Sequence, residues 1–294
     1  MARIAPERIP RLSTPPIQLS EYLAAAREAA LLAWESIRPF FRGSYSVYEK
    51  AGEGPATEAD IAADRRIGDF LRGRFPGQPI GFLTEESHKT EERLAMPLCW
   101  IIDPIDGTRS FIDGNDGWAI QIGLASSTQA LAGVVYQPTT GMMYLGGQGL
   151  GAWVENIDDG WRRELVVSPQ SSLRDARIAL TNSRIDRLTR EALDRLSPAS
   201  VGRMGSAGLK IMEVASGRAD LYFSAVPRRC KEWDVCGPAA ILLAAGGRVS
   251  DLGGEELAYN QVDYSLGRGF LASNGPLHDI ALNRLCHRQG AAQQ

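Results

Sequence analysis

Two carboxylates, Asp103 and Asp106, follow the apolar run Leu98-Cys99-Trp100-Ile101-Ile102 and stand directly before Gly107-Thr108. The run reads as a buried strand, and Pro104 is expected to end it because proline supplies no backbone donor to a sheet. The acids then project from a strand end, where loops carry function. With the Ile105 carbonyl between them, they offer a hard-oxygen donor set suited to Mg²⁺. The amides after Gly107 can open a helix whose N-terminus receives a phosphate. Metal and phosphate would then lie side by side. Taken alone, the pair reads more readily as a turn rich in Asp and Gly.

Three further acidic elements sit at predicted element ends. Glu85, in Thr84-Glu85-Glu86-Ser87, follows the apolar stretch Ile80 to Leu83. Asp60, in Thr57-Glu58-Ala59-Asp60, opens an amphipathic helix, and Asp234, after Glu232-Trp233, precedes the small-residue and apolar pattern Val235 to Ala245. Singly, Asp60 and Asp234 read as helix caps and Glu85 as a solvated loop charge. Lys50 reads either as a balancing charge for such acids or as a surface lysine. The four acidic elements together demand a common explanation.

These blocks, with Gly205-Ser206-Ala207 and the Gly246-Gly247 end of the last helix, resemble the inositol monophosphatase superfamily of Mg²⁺-dependent, lithium-sensitive phosphomonoesterases. The resemblance runs over about residues 19 to 285. It implies a layered αβαβα sandwich, an α+β half followed by an α/β half. It also implies two or three Mg²⁺ ions held by Glu85, Asp103, the Ile105 carbonyl, Asp106 and Asp234. Asp60 and Thr108 would orient and deprotonate the attacking water, and the Gly107 and Thr108 amides would cradle the phosphate. Ser183, Arg184, Gly205, Ser206, Ala207 and Lys210 would contact substrate. Phosphate monoesters repel anionic nucleophiles, and divalent ions remove that repulsion, which is why such a site needs clustered carboxylates.

The substrate is harder to read. Inositol monophosphatases carry a substrate-binding Glu just after a strand like Ala219 to Phe223, where this chain has Ser224. Gly205-Ser206-Ala207-Gly208-Leu209-Lys210 with Glu232-Trp233-Asp234, and Asn115-Asp116-Gly117, resemble 3′(2′),5′-bisphosphate nucleotidases, although Gly208 is an extra residue before the lysine. A bisphosphate nucleotide is therefore the favoured substrate. Inositol or sugar phosphates are one alternative. Histidinol phosphate is another, through Gly107-Thr108-Arg109-Ser110-Phe111. A non-catalytic phosphate-binding module would have no need of the water-activating pair.

The elements that must position these residues follow from the periodicity. Helices are expected over Ser20 to Arg38, Asp60 to Phe75, Arg187 to Leu196, Lys210 to Ser216, Gly237 to Ala245 and Pro276 to Leu285. Strands are expected at Trp118 to Ala125, Gln129 to Gln137, Met142 to Leu145, Ala152 to Glu155, Arg177 to Leu180, Ala219 to Phe223, Gly247 to Asp251 and Gly269 to Ala272. The division is an N-terminal arm over 1–18, rich in proline, an α+β half over 19–165 carrying the main metal site, and an α/β half over 166–294 completing it. The glycines between Gly146 and Gly151 mark a turn, and no P-loop Lys-Ser/Thr follows them, which excludes a nucleotide triphosphatase.

Composition sets the remaining bounds. The chain has 294 residues, 44% hydrophobic and 23% charged, with a net charge of −3. That balance suits a globular enzyme and offers no attraction to nucleic acid polymers. Cys99, Cys230, Cys236 and Cys286 show no metal or disulfide spacing, and His88, His278 and His287 fall in no motif. With no membrane-spanning run or signal h-region, the expected location is the cytoplasm, with a homodimer left open.

Overall fold

The computed structural model describes residues 18–50, 54–87 and 90–286. Except for residue 18, the expected N-terminal arm lies outside them, as do His88 and His287. The strands are β1 (Val47–Lys50), β2 (Gly54–Thr57), β3 (Ile80–Thr84), β4 (Leu98–Asp106), β5 (Ala119–Ala125), β6 (Ala130–Gln137) and β7 (Met142–Gly147). They continue with β8 (Gly151–Asn156), β9 (Arg162–Glu164), β10 (Arg177–Thr181), β11 (Ser200–Met204), β12 (Leu221–Ser224), β13 (Arg248–Asp251) and β14 (Phe270–Ser273). The helices are α1 (Leu19–Ile37), α2 (Glu58–Arg74), α3 (Thr108–Ile112), α4 (Arg187–Leu196), α5 (Ala207–Ala215), α6 (Glu232–Ala244) and α7 (His278–Cys286).

Seven strands, β3 to β9 in sequence order, form the larger sheet, and a five-stranded sheet runs β11-β10-β12-β14-β13. Period-two alternation sorts the apolar side chains. Trp100 and Ile102 face α1 and α2, whereas Cys99 and Ile101 face the cluster of α5 and α6. Ala179 and Tyr222 meet α5 and α6, while Ile178, Leu180, Leu221 and Phe223 pack with Ala192, Leu196, Ala281 and Leu285 of α4 and α7. The layers are thus α1/α2, large sheet, α5/α6, small sheet and α4/α7, the αβαβα sandwich implied by the resemblance.

Pro104 does not end β4. The strand runs through it to Asp106, and the register with β5 slips between Asp103, opposite Gln121, and Asp106, opposite Ala119. One extra residue on β4 makes a bulge, where a missing proline donor disturbs no ladder pairing. The N-terminal turn of α5 likewise starts earlier than its apolar pattern, at Ala207, so Lys210 is buried inside the helix rather than at its start. Strand β11 is exposed along most of its length and carries no hydrophobic alternation, which is why sequence reading passed over it.

The helix α6 reaches the large sheet through glycine. A Cβ on Gly133 of β6 would stand 2.1 Å from the Gly237 carbonyl oxygen, and one on Gly123 of β5 would stand 2.7 Å from the Gly237 nitrogen. Backbone lies against backbone there. At the opposite end of the small sheet, His278 is fully buried. Its Nε2 lies 2.9 Å from Ser250 Oγ and its Nδ1 2.7 Å from Ser273 Oγ. Burial pushes its pKa down to about 4. No helix among the described residues is long and apolar enough to cross a membrane.

Candidate active site

The strand ends, α3 and α6 converge on a cavity of about 490 Å³ bordered by Glu85, Asp103, Ile105, Asp106, Thr108 and Asp234. The bulge in β4 turns both of its aspartates toward one space. Asp103, Asp106 and Asp234 each place a carboxylate oxygen within 4.8 Å of the others. Ligand oxygens around Mg²⁺ stand roughly 3–4 Å apart, given Mg–O distances of about 2.0–2.1 Å, so a small closure of these side chains suits the ion.

The electrostatics call for a cation. Burial, then the neighbouring Glu85, Asp106 and Asp234 charges, hold the Asp103 carboxyl well above the usual carboxylate range. Burial and Asp106 push Asp234 up to about 8. Like charges crowded out of water resist ionising until a positive charge joins them. Donor chemistry, spacing and charge all fit a divalent metal.

Each acid is held by partners that leave part of it free. Asp106 Oδ2 accepts from Ser206 Oγ at 2.5 Å, from the Gly208 amide at 2.7 Å and from the Gln121 side-chain amide. Its other oxygen is left for the cavity. The extra Gly208 thus supplies a donor, and a Cβ there would stand 2.7 Å from the Gln121 amide group. Asp103 Oδ1 accepts from the Ile105 amide at 3.0 Å across the bulge. Asp234, in the first turn of α6, accepts from the Lys231 amide at 2.6 Å. Gly107 has φ +96°, and a Cβ on it would lie 2.7 Å from the Gly117 carbonyl oxygen. Only glycine admits that approach.

Asp60 sits behind Thr108. Its Oδ2 accepts from the Thr57 amide at 2.7 Å and the Thr57 hydroxyl at 2.6 Å, closing a capping box at the start of α2. Its Oδ1 lies 3.4 Å from Thr108 Oγ1, which also lies 3.1 Å from the Ile105 carbonyl oxygen. Burial raises Asp60 to about 7, with Glu86 and Glu85 adding to the rise and the Thr57 donors opposing it. The carboxylate that caps α2 is the one that faces Thr108. Glu85 is paired with Lys50 Nζ at 3.0 Å, and the same ammonium reaches Glu86 at 2.7 Å.

A second cavity, about 260 Å³, adjoins the first and is bordered by Ser183, Arg184, Lys210, Tyr222 and Ser224. Lys210 Nζ lies 3.3 Å from the Gly205 carbonyl oxygen and 5.1 Å from the Tyr222 ring centre. Gly205, Ser206 and Ala207 border neither cavity. They act from behind: Ser206 on Asp106, Gly205 on Lys210, Ala207 in the first turn of α5. Sequence reasoning missed Gln121, Gly208 and Arg229. Gln121 had a signal, since it is the one polar side chain in the otherwise apolar, fully buried β5.

The inositol monophosphatase family profile matches residues 18–290. The 3′(2′),5′-bisphosphate nucleotidase CysQ of Escherichia coli (strain K12) is 32% identical over 260 residues, covering 87% of this chain and 98% of that protein. The inositol-1-monophosphatase of Synechocystis sp. is 33% identical over 275 residues, covering 90% and 88%. The crystal structure of CysQ from Bacteroides thetaiotaomicron superposes with a TM-score of 0.74 at 28% identity, covering 88% of this chain and 98% of that one. With the acidic cluster and the sandwich fold, these matches establish that the chain belongs to the inositol monophosphatase family of metal-dependent phosphomonoesterases.

Proposed function

We propose that the chain hydrolyses the 3′(2′)-phosphate of a 3′(2′),5′-bisphosphate nucleotide with Mg²⁺ as cofactor. The observation that carries this reading is the buried Lys210 in a second cavity beside the acidic one, with Arg184 at the same wall. A buried ammonium is costly unless an anion joins it, and its contacts are a carbonyl and a ring. A substrate with two phosphates fills both needs, one at the carboxylates and one at Lys210. Similarity to two bacterial CysQ proteins agrees. Inositol 1-phosphate draws support from the Synechocystis relative, but Ser224 offers no carboxylate to a cyclitol hydroxyl.

In this reading Glu85, Asp103, the Ile105 carbonyl, Asp106 and Asp234 hold two or three Mg²⁺ ions. When bound, the metal neutralises phosphoryl charge, acidifies water and stabilises the leaving alkoxide. Thr108 Oγ1 donates to Asp60 and accepts from the attacking water, fixing its lone pair on phosphorus. Asp60 takes the proton, its free oxygen lying 3.4 Å from Thr108 Oγ1. The Gly107 and Thr108 amides hold the phosphate in line. Water attacks directly, so no phosphorylated residue forms.

The test compares kcat/KM for 3′-phosphoadenosine 5′-phosphate, inositol 1-phosphate, histidinol phosphate and fructose 1,6-bisphosphate. The bisphosphate nucleotide should lead. Lys210→Ala should reduce its lead over 3′-adenylate by about 10- to 100-fold, the worth of a charged hydrogen bond. A lead for inositol 1-phosphate or histidinol phosphate would overturn the nucleotide reading.

A further inference from the structure

Residues 225–231 form a strap between β12 and α6 that borders both cavities. Its second half is tied to the 263–265 segment. Arg228, at φ +61°, pairs with Asp263 at 2.8 Å, and Lys231 Nζ donates to Ser265 Oγ at 3.1 Å. Arg229 reaches the other way, with Nη1 2.8 Å from Asp186 Oδ2. Asp186 is the N-cap of α4, accepting from the Thr189 amide at 2.8 Å and the Thr189 hydroxyl at 2.9 Å. Among the described residues, Arg229 alone borders both the acidic cavity and the cavity of Lys210.

We infer that Arg229 is a specificity-determining residue that selects substrates carrying a second anionic group, and that Asp186 is its positioning residue. This rests on the two-phosphate reading above. A guanidinium offers several N–H donors in a fixed plane. One of them engages Asp186, which leaves the others for an anion in the cavities that Arg229 borders. A phosphate held at the carboxylates and a second one near Lys210 would lie on either side of that plane. Without Asp186, the half-exposed Arg229 is free to turn into solvent. Because Asp186 is anchored to the first turn of α4, the small sheet's outer layer sets where the cation stands. Arg229 would hold the substrate before and during reaction alike, so its loss acts on binding.

The experiment compares 3′-phosphoadenosine 5′-phosphate with 3′-adenylate, which lacks only the second phosphate, in the wild type and in Arg229→Ala, Arg229→Lys, Asp186→Asn and the Arg229→Ala/Asp186→Asn pair. Asn retains the capping oxygen at position 186 and removes the charge. The wild type should prefer the bisphosphate. Arg229→Ala should cut that preference by about 10- to 100-fold, mainly through KM, and Arg229→Lys should restore part of it. Asp186→Asn should cut it less, and should add nothing further in the pair, since it acts through Arg229. If the wild type shows no preference, both the two-phosphate reading and this inference fall. If the preference exists and survives Arg229→Ala, the role of Arg229 falls alone. Additive losses in the pair would remove Asp186 as its positioning residue.

Discussion

The hydroxyl of Ser206 lies 2.5 Å from Asp106 Oδ2, joining the start of α5 to the end of β4. One oxygen of Asp106 is thereby committed to protein donors and the other is aimed at the cavity. Ser206→Ala should raise the Mg²⁺ concentration for half-maximal activity by about 10- to 100-fold, the usual cost of losing a ligand's orienting partner. A magnesium titration reads this directly. The substitution also removes the cap on the Leu209 amide, so thermal unfolding should report a loss of about 1 kcal/mol. An unchanged magnesium requirement would show that Gln121 and Gly208 suffice.

Crowded acids make a second prediction. Asp103→Asn and Asp234→Asn should abolish most activity while leaving the metal-free protein as stable as the wild type or more so, because each removes a like charge from a buried cluster. Unfolding in EDTA and in Mg²⁺ separates the effects. The wild type should gain stability with Mg²⁺, the variants little. Millimolar Li⁺ should inhibit the wild type. Full activity in EDTA would refute the metal mechanism.

Thr108→Ala and Asp60→Asn should depress kcat by about 10²–10⁴-fold, the range of a general base, with KM moved far less. Steady-state kinetics at saturating Mg²⁺ decides. A change chiefly in KM would mean that these side chains hold substrate rather than water. Asp60→Asn should also keep its capping contact to Thr57 in part, so the fold should survive.

His278 gives a pH prediction independent of the site. Its folded pKa of about 4 lies below the ordinary value of 6.5. Unfolding therefore takes up a proton between those values. The stability from the neutral ring is complete above pH 6.5, shrinks as pH falls, and is gone below about 4. The difference is about 3 kcal/mol. Denaturant unfolding of the wild type minus that of His278→Gln, followed from pH 7 to pH 4, should fall by that order. A flat difference would show that the buried imidazole does not govern acid sensitivity.

Much of this arrangement was legible in the sequence because it is local. Asp103, Asp106, Glu85, Asp60 and Asp234 stand at element ends marked by breaks in hydrophobic period, and the structure places them around or directly behind one cavity. Asp60 and Asp234 cap their helices, and the same carboxylates face Thr108 and the other aspartates of the cluster. Other features depend on distant contacts. Pro104 looked like a strand end because a bulge shows only once β5 is alongside. Arg229 lay in a loop with no period, and its partner Asp186 is 43 residues away. The short exposed strands β9 and β11 bury too little to leave a pattern.

The glycine contact between α6 and the large sheet has a consequence for ion choice. Gly237 rests on Gly123 and Gly133 with no side chain between, so the helix carrying Asp234 stands at a height set by main-chain atoms. Side-chain packing can relax around a new rotamer, but two touching backbones have no such slack. The seam therefore sets how closely Asp234 can approach the β4 aspartates. Ca²⁺ needs longer bonds, about 2.3–2.6 Å, and more ligands than Mg²⁺. With a divalent ion held by Asp234 and the β4 aspartates, the sheet–helix seam would act as a size gauge for it. Gly133→Ala, by lifting α6, should narrow the preference for Mg²⁺ over Ca²⁺ in calorimetric titrations. An unaltered preference in a folded variant would place the gauge elsewhere.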